Sequence, residues 1–166
     1  VPIEIFYLAM IESGFNNKAR SHAKAVGPWQ FMASTGRLYG LQIDYWKDER
    51  RDPVKATKAA AHFLRDLYAQ FGDWYLAMAA YNAGPGKINR AIRRTKSRDF
   101  WEIAKTRHIR KETRNYIPKI LAALTIGSNP RKYGFDIREH SELKIPSSYV
   151  ELTRPVKLTE VADELG

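Results

Sequence analysis

A chain of 166 residues with 44% apolar and 12% aromatic side chains is long enough for one domain with a sizeable core and a short appendage, and too short for a second full domain. With no cysteine it excludes a disulfide framework and thiolate chemistry; with no uncharged apolar run of about 18 residues it excludes a spanning helix, so any membrane anchor is expected outside these residues. A net charge of +10 favours an anionic partner, whether nucleic acid, a membrane surface or an acidic polymer.

The first predicted element is a helix with Pro2 in its first turn, Ile3, Phe6, Tyr7, Met10 and Ile11 as its apolar stripe, and Gly14 as its stop. Glu12 falls in the last turn, where the helix dipole disfavours a carboxylate and suits a proton donor better than a structural ion. Residues 15–37 read as a long loop, with a short helix beginning near Trp29 or Ser34. Asp52-Pro53 starts a strong helix with Val54, Thr57, Ala61, Leu64, Tyr68 and Phe71 on one face and Gly72 as its end. Asp73 caps a third helix, striped by Trp74, Ala77, Met78 and Tyr81 and broken by Asn82 to Gly86.

A basic helix follows over about 87–94, a short one over 100–105, and a long one from about Arg110 to Thr125 with Thr113, Tyr116, Ile117, Ile120 and Leu124 aligned and Pro118 as a kink. From Leu143 the texture turns extended, and Thr159 is placed as the cap of a helix over 160–165. The expected architecture is all-α over residues 1–142, with 143–166 as a C-terminal extension or the opening of a following module.

Several chemistries drop out on motif grounds. The four histidines are scattered without a metal-ligand spacing, Gly84-Pro85-Gly86 fits neither dinucleotide nor Walker glycine patterns, and Ser13 lacks a nucleophile elbow. No metal or cofactor is expected. The basic clusters Arg90, Arg93, Arg94, Lys96, Arg98 and Arg107, Arg110, Lys111 come without finger, zipper or aromatic RNP patterns, which sets nucleic acid aside as partner.

What remains is a constellation of Glu12-Ser13-Gly14, Gly27-Pro28-Trp29-Gln30-Phe31 and Ala80-Tyr81-Asn82-Ala83-Gly84. With Ser34-Thr35-Gly36, Tyr39-Gly40-Leu41, Arg50-Arg51-Asp52 and Glu112-Thr113 with Tyr116, the pattern over roughly residues 1–135 resembles the soluble-lytic-transglycosylase family of lytic transglycosylases, which share a goose-lysozyme-like helical fold. Pro28 departs from the aliphatic or small residue often found between the glycine and the aromatic position.

The resemblance implies that Glu12 is the catalytic carboxylate and that Ser13, Gly27, Trp29, Gln30, Phe31, Tyr81 and Asn82 build the saccharide groove, with Glu112 and Tyr116 near the scissile bond. It implies cleavage of the β-1,4 bond from N-acetylmuramic acid to N-acetylglucosamine with formation of a 1,6-anhydro ring. Most glycosidases need two carboxylates. Here one suffices, because the muramoyl C6 hydroxyl replaces water: Glu12 protonates the leaving oxygen and then takes the C6 proton. That role needs a raised pKa, for which Ile5, Leu8 and Tyr81 are the expected apolar surround. The resemblance further implies peptidoglycan glycan strands as partner, a monomer, and a bacterial periplasmic setting with an outer-membrane lipoprotein anchor and LysM modules elsewhere. A goose-type lysozyme-like hydrolase and a non-catalytic murein- or polyanion-binding module are the competing readings.

Overall fold

The computed structural model describes residues 1–136 and 156–165. The chain forms two compact units, Val1–Phe135 and Asp136–Gly166. The expected boundary at residue 142 and the extended segment from Leu143 lie outside the described residues.

The first unit holds α1 (Phe6–Ser13), α2 (Ala33–Leu38), α3 (Pro53–Phe71), α4 (Trp74–Ala83), α5 (Pro85–Thr95), α6 (Phe100–Ala104) and α7 (Lys111–Ser128). Among the described residues, strand pairing is limited to the isolated bridges Arg20 with Val26, Val26 with Phe31 and Ile43 with Asp48. Helix starts follow the capping chemistry: Asp52 accepts from the amides of Val54 and Lys55, Asp73 from Leu76 and Asp99 from Trp101. Gly14, in the left-handed conformation, ends α1. Instead of a five-residue break at 82–86, α4 runs on through Ala83 and α5 begins at Pro85, so Gly84 alone makes the turn.

α4 is the centre of the unit, packed against α3, α5 and α7. Its residues Leu76, Ala77, Met78, Ala79 and Ala80 are buried in succession, so the helix is enclosed on nearly every side and a single stripe does not describe it. Small side chains at Ala59, Ala60, Ala79 and Ala80 let α3 and α4 approach, and each fully buried leucine, such as Leu8, Leu64 or Leu76, contributes about 2 kcal/mol. The α3 stripe lies one step round from expectation: Ala56, Ala59, Ala60, Leu64, Leu67 and Phe71 face inward while Val54 is 74% exposed. On α1, Tyr7, Leu8 and Ala9 are buried, whereas Phe6 and Met10, like Ile3 in the turn ahead of the helix, face outward.

α7 carries its stripe as the periodicity predicts, with Thr113, Tyr116, Ile117 and Ile120 buried, and continues through Pro118 as one helix. α1 packs on α7. They meet at Gly127, where an added Cβ would lie 1.9 Å from the Tyr7 hydroxyl oxygen; only a glycine admits that ring. This contact brings the end of α1, and with it Glu12, against the first half of α7.

In the second unit, α8 spans Leu158–Leu165. It begins before Thr159, which sits in its first turn rather than capping it. No helix among the described residues is long and apolar enough to cross a membrane.

Candidate active site

Glu12 leaves α1 half-buried in the last turn before Gly14. The hydroxyl of Tyr116, from the apolar face of α7, donates to its Oε1. Burial raises the Glu12 carboxyl from 4.5 to about 7; the Tyr116 hydrogen bond pulls downward and the nearby charge of Glu112 pushes upward. Desolvation outweighs the hydrogen bond. Tyr116 and Tyr81 are themselves held well above the usual tyrosine value, by burial first and by the Glu12 charge second, so both remain protonated donors.

Ser13 and Tyr81 fix the loop opposite the carboxylate. Ser13 Oγ donates to the carbonyl of Pro28 at 2.8 Å, and Tyr81 Oη donates to the carbonyl of Trp29 at 2.7 Å. Residues 27–30 form a β-turn closed by the Gln30 amide on the Gly27 carbonyl at 3.1 Å, with Pro28 at the position where its fixed φ is favoured. The departure at Pro28 therefore suits the turn. Val26 and Phe31 exchange two backbone hydrogen bonds of 3.1 Å and close the loop into a tight bend.

Gly27 is obligatory on two counts: its φ is +82°, and a Cβ there would fall 1.8 Å from the Arg50 carbonyl oxygen. That approach is held by Arg50 itself, a buried guanidinium paired with Asp48 through Nε at 2.8 Å and Nη2 at 2.7 Å, while Nη1 donates to the carbonyls of Phe31 and Lys24. In the same turn Glu49 is held down at about 2 by hydrogen bonds from Lys47, Lys55 and the Gln42 amide.

The predicted site residues thus divide. Glu12 and Tyr116 are in direct contact, with Glu112 exposed on the first turn of α7. Gln30, Phe31, Tyr81 and Asn82 line one cavity of about 250 Å³; Asn82 and Glu112 line a second of about 240 Å³, so Asn82 and Ala83 border both. Trp29 is only 7% exposed and its indole N–H donates to Thr57 Oγ1 at 2.8 Å, which places it in the core. Thr113 Oγ1 donates to Asn82 Oδ1 at 2.9 Å and orients that amide.

Sequence reasoning named Arg50, Thr57 and Thr113 only as pattern or stripe positions and gave them no part in the site, and it did not name Phe63, whose ring lies 5.1 Å from Tyr81 and 5.0 Å from Tyr39. A signal existed for two of them: Thr57 and Thr113 are polar members of apolar helix stripes.

The sequence profile of the Transglycosylase SLT domain matches residues 1–104. The chain belongs to that family. It is 40% identical over its whole length to Membrane-bound lytic murein transglycosylase D of Escherichia coli K12, of which it spans 37%. It is 29% identical over 69% of its length to Soluble lytic murein transglycosylase of Salmonella typhimurium, of which it spans 19%. Among solved structures, an inactive Glu-to-Gln mutant of the lytic transglycosylase Slt from Pseudomonas aeruginosa superposes with a TM-score of 0.62 at 29% identity, covering 78% of this chain and 22% of that one. The all-α, lysozyme-like class of this SLT domain follows from that neighbour and from the helical unit described above. The chain covers about a third or less of each of these relatives. Glu112 and Tyr116 lie beyond the 104 residues matched by the family profile, and the fold brings Tyr116 into hydrogen-bond contact with Glu12.

Proposed function

We propose that this SLT domain is a peptidoglycan lytic transglycosylase acting through Glu12. The observation that carries the reading is the half-buried Glu12 carboxyl, raised to about 7 and hydrogen-bonded by the Tyr116 hydroxyl. A carboxyl with that pKa is protonated often enough near neutral pH to donate to a glycosidic oxygen, and basic enough afterwards to take a proton back. Glu12 first protonates the oxygen leaving towards N-acetylglucosamine; its carboxylate then removes the proton of the muramoyl C6 hydroxyl as that oxygen attacks the anomeric carbon. The bond to the leaving oxygen breaks, the 1,6-anhydro ring forms, and the carboxyl is regenerated.

The oxocarbenium-like state is relieved by the substrate's own N-acetyl carbonyl. Because the Tyr81 hydroxyl is spent on Trp29, the orienting group is the Asn82 amide, whose oxygen is taken by Thr113 and whose N–H groups remain for substrate. Trp29, Phe31, Gly27 and Ser13 shape the groove from beneath, and Gln30 and Asn82 face the sugar. Residues 1–142 form the catalytic domain of a periplasmic enzyme, monomeric in this part, whose tether to the outer membrane lies elsewhere. The name of the relative from Escherichia coli and the Glu-to-Gln exchange in the inactive Slt support this reading.

Mass spectrometry of muropeptides released from purified sacculi tests it. Wild type releases 1,6-anhydromuropeptides and Glu12→Gln releases none. Reducing-end muramic acid from the wild type would establish a goose-type hydrolase instead, and glycan binding without turnover a murein-binding module.

A further inference from the structure

The 240 Å³ cavity beside the groove is lined by Lys87, Arg90 and Arg94 of α5 and by His108 and Arg110 ahead of α7, with Glu112 as the only carboxylate in its wall. Spacings of three and four residues put Lys87, Arg90 and Arg94 on one face of α5, flanking the side that buries Ile88 and Ala91. Elsewhere in the domain five cations are paired, Lys47 and Lys55 with Glu49, Arg50 with Asp48, Arg65 with Asp66 and Lys105 with Glu102, and unpaired ones such as Lys18, Arg37 and Lys58 are not gathered round this cavity. The side chains of Lys87, Arg90, Arg94 and Arg110 make no hydrogen bond or ion pair among the described residues. Like charges gathered in a concavity repel one another, and the fold supplies no counter-charge sufficient to offset them.

A glycan of N-acetylglucosamine and N-acetylmuramic acid is uncharged except at the lactyl carboxyl of each muramoyl residue. That group either stands free or is extended by a peptide stem bearing its own carboxylates. Asn82, which the proposed function sets against the sugar, borders this cavity too, so the proposed groove and the basic wall meet at that residue. Guanidinium groups suit the task, since each offers a planar fork to a carboxylate.

We propose that Lys87, Arg90, Arg94 and Arg110 form a carboxylate subsite for the lactyl-linked substituent of muramoyl residues, so that this domain selects anionic, muramoyl-bearing strands over uncharged N-acetylglucosamine polymers. The inference rests on the proposed function of the groove.

The test is affinity in the Glu12→Gln background, which removes turnover, for three soluble ligands: stem-bearing glycan strands, strands stripped of stems by an amidase, and chitooligosaccharides without carboxylates. Arg90→Gln/Arg94→Gln weakens binding of stem-bearing strands about tenfold, as two exposed charge-assisted contacts predict, and leaves chitooligosaccharide affinity within about twofold. Arg90→Lys/Arg94→Lys recovers most of the loss. If stripped strands lose as much, the lactyl carboxylate is the anion held; if they lose little, it is a stem carboxylate. An equal loss on all three ligands, or none on any, overturns the subsite while leaving the groove intact. Failure of the Glu12→Gln protein to bind any glycan, together with a wild type that cleaves none, overturns the functional reading and the subsite with it.

Discussion

Replacing Glu12 by glutamine tests the electrostatics of the site without any substrate. The folded carboxyl titrates near 7 and the free one near 4.5. Between those values the folded state binds more proton than the unfolded state, so Glu12 makes stability fall as pH rises through that window. At about 1.4 kcal/mol per pH unit, the full cost above pH 7 is about 3 kcal/mol. Glutamine keeps the shape, still accepts from Tyr116 and carries no charge to desolvate. Glu12→Gln is therefore expected to match wild type at pH 4 and to exceed it at pH 8 by up to about 3 kcal/mol, or about 5–10 °C in melting temperature for a domain of this size. Urea unfolding of both proteins at the two pH values measures it directly. A stability difference that is the same at pH 4 and pH 8, or a glutamine variant less stable at pH 8, would refute the claim that burial sets the state of Glu12.

The activity profile supplies a paired prediction on the same group. In the proposed mechanism Glu12 acts first as an acid, so cleavage is expected to fall above pH 7; Tyr116→Phe deletes a hydrogen bond to the charged form and moves that limb up by about one pH unit or more, whereas Glu112→Gln deletes a neighbouring negative charge and moves it down. The pH dependence of kcat/KM on soluble strands separates the two, and shifts in the same direction would contradict the assignment. Gly27→Ala places a methyl group inside the contact radius of the Arg50 carbonyl at a positive φ and is expected to cost about 3 kcal/mol or more, read as a lowered urea midpoint with a matching loss of activity at 37 °C.

Helix order and most helix ends were open to a reader of the sequence because each has a local cause. Asp52, Asp73, Gly14 and Gly72 act within one turn of where they stand, and the α7 stripe repeats cleanly enough to name its buried members. The faces of α1 and α3 were not, since α1 is apolar almost all round and the alanines of α3 give periodicity little contrast; which side turns inward is decided by α4 and α7. Within the site, Glu12, Tyr81, Asn82 and Tyr116 could be named from motifs, but the partner of each hydroxyl could not. Tyr81 reaches a backbone carbonyl 52 residues away, and carbonyls leave no mark in a sequence. The part played by Arg50 was hidden for the same reason, two of its targets being the carbonyls of Phe31 and Lys24.

Glu12 and the hydroxyl that steadies it are 104 residues apart in the chain and meet only when α1 docks on α7 across Gly127. A nascent, nicked or half-melted polypeptide thus carries the acid but not its surroundings, and an unburied glutamate is ionised at neutral pH and has no proton to give. Under the proposed function this ties glycan cleavage to completed folding: a fragment ending before α7 has Glu12 but not the Tyr116 hydroxyl that α7 brings to it.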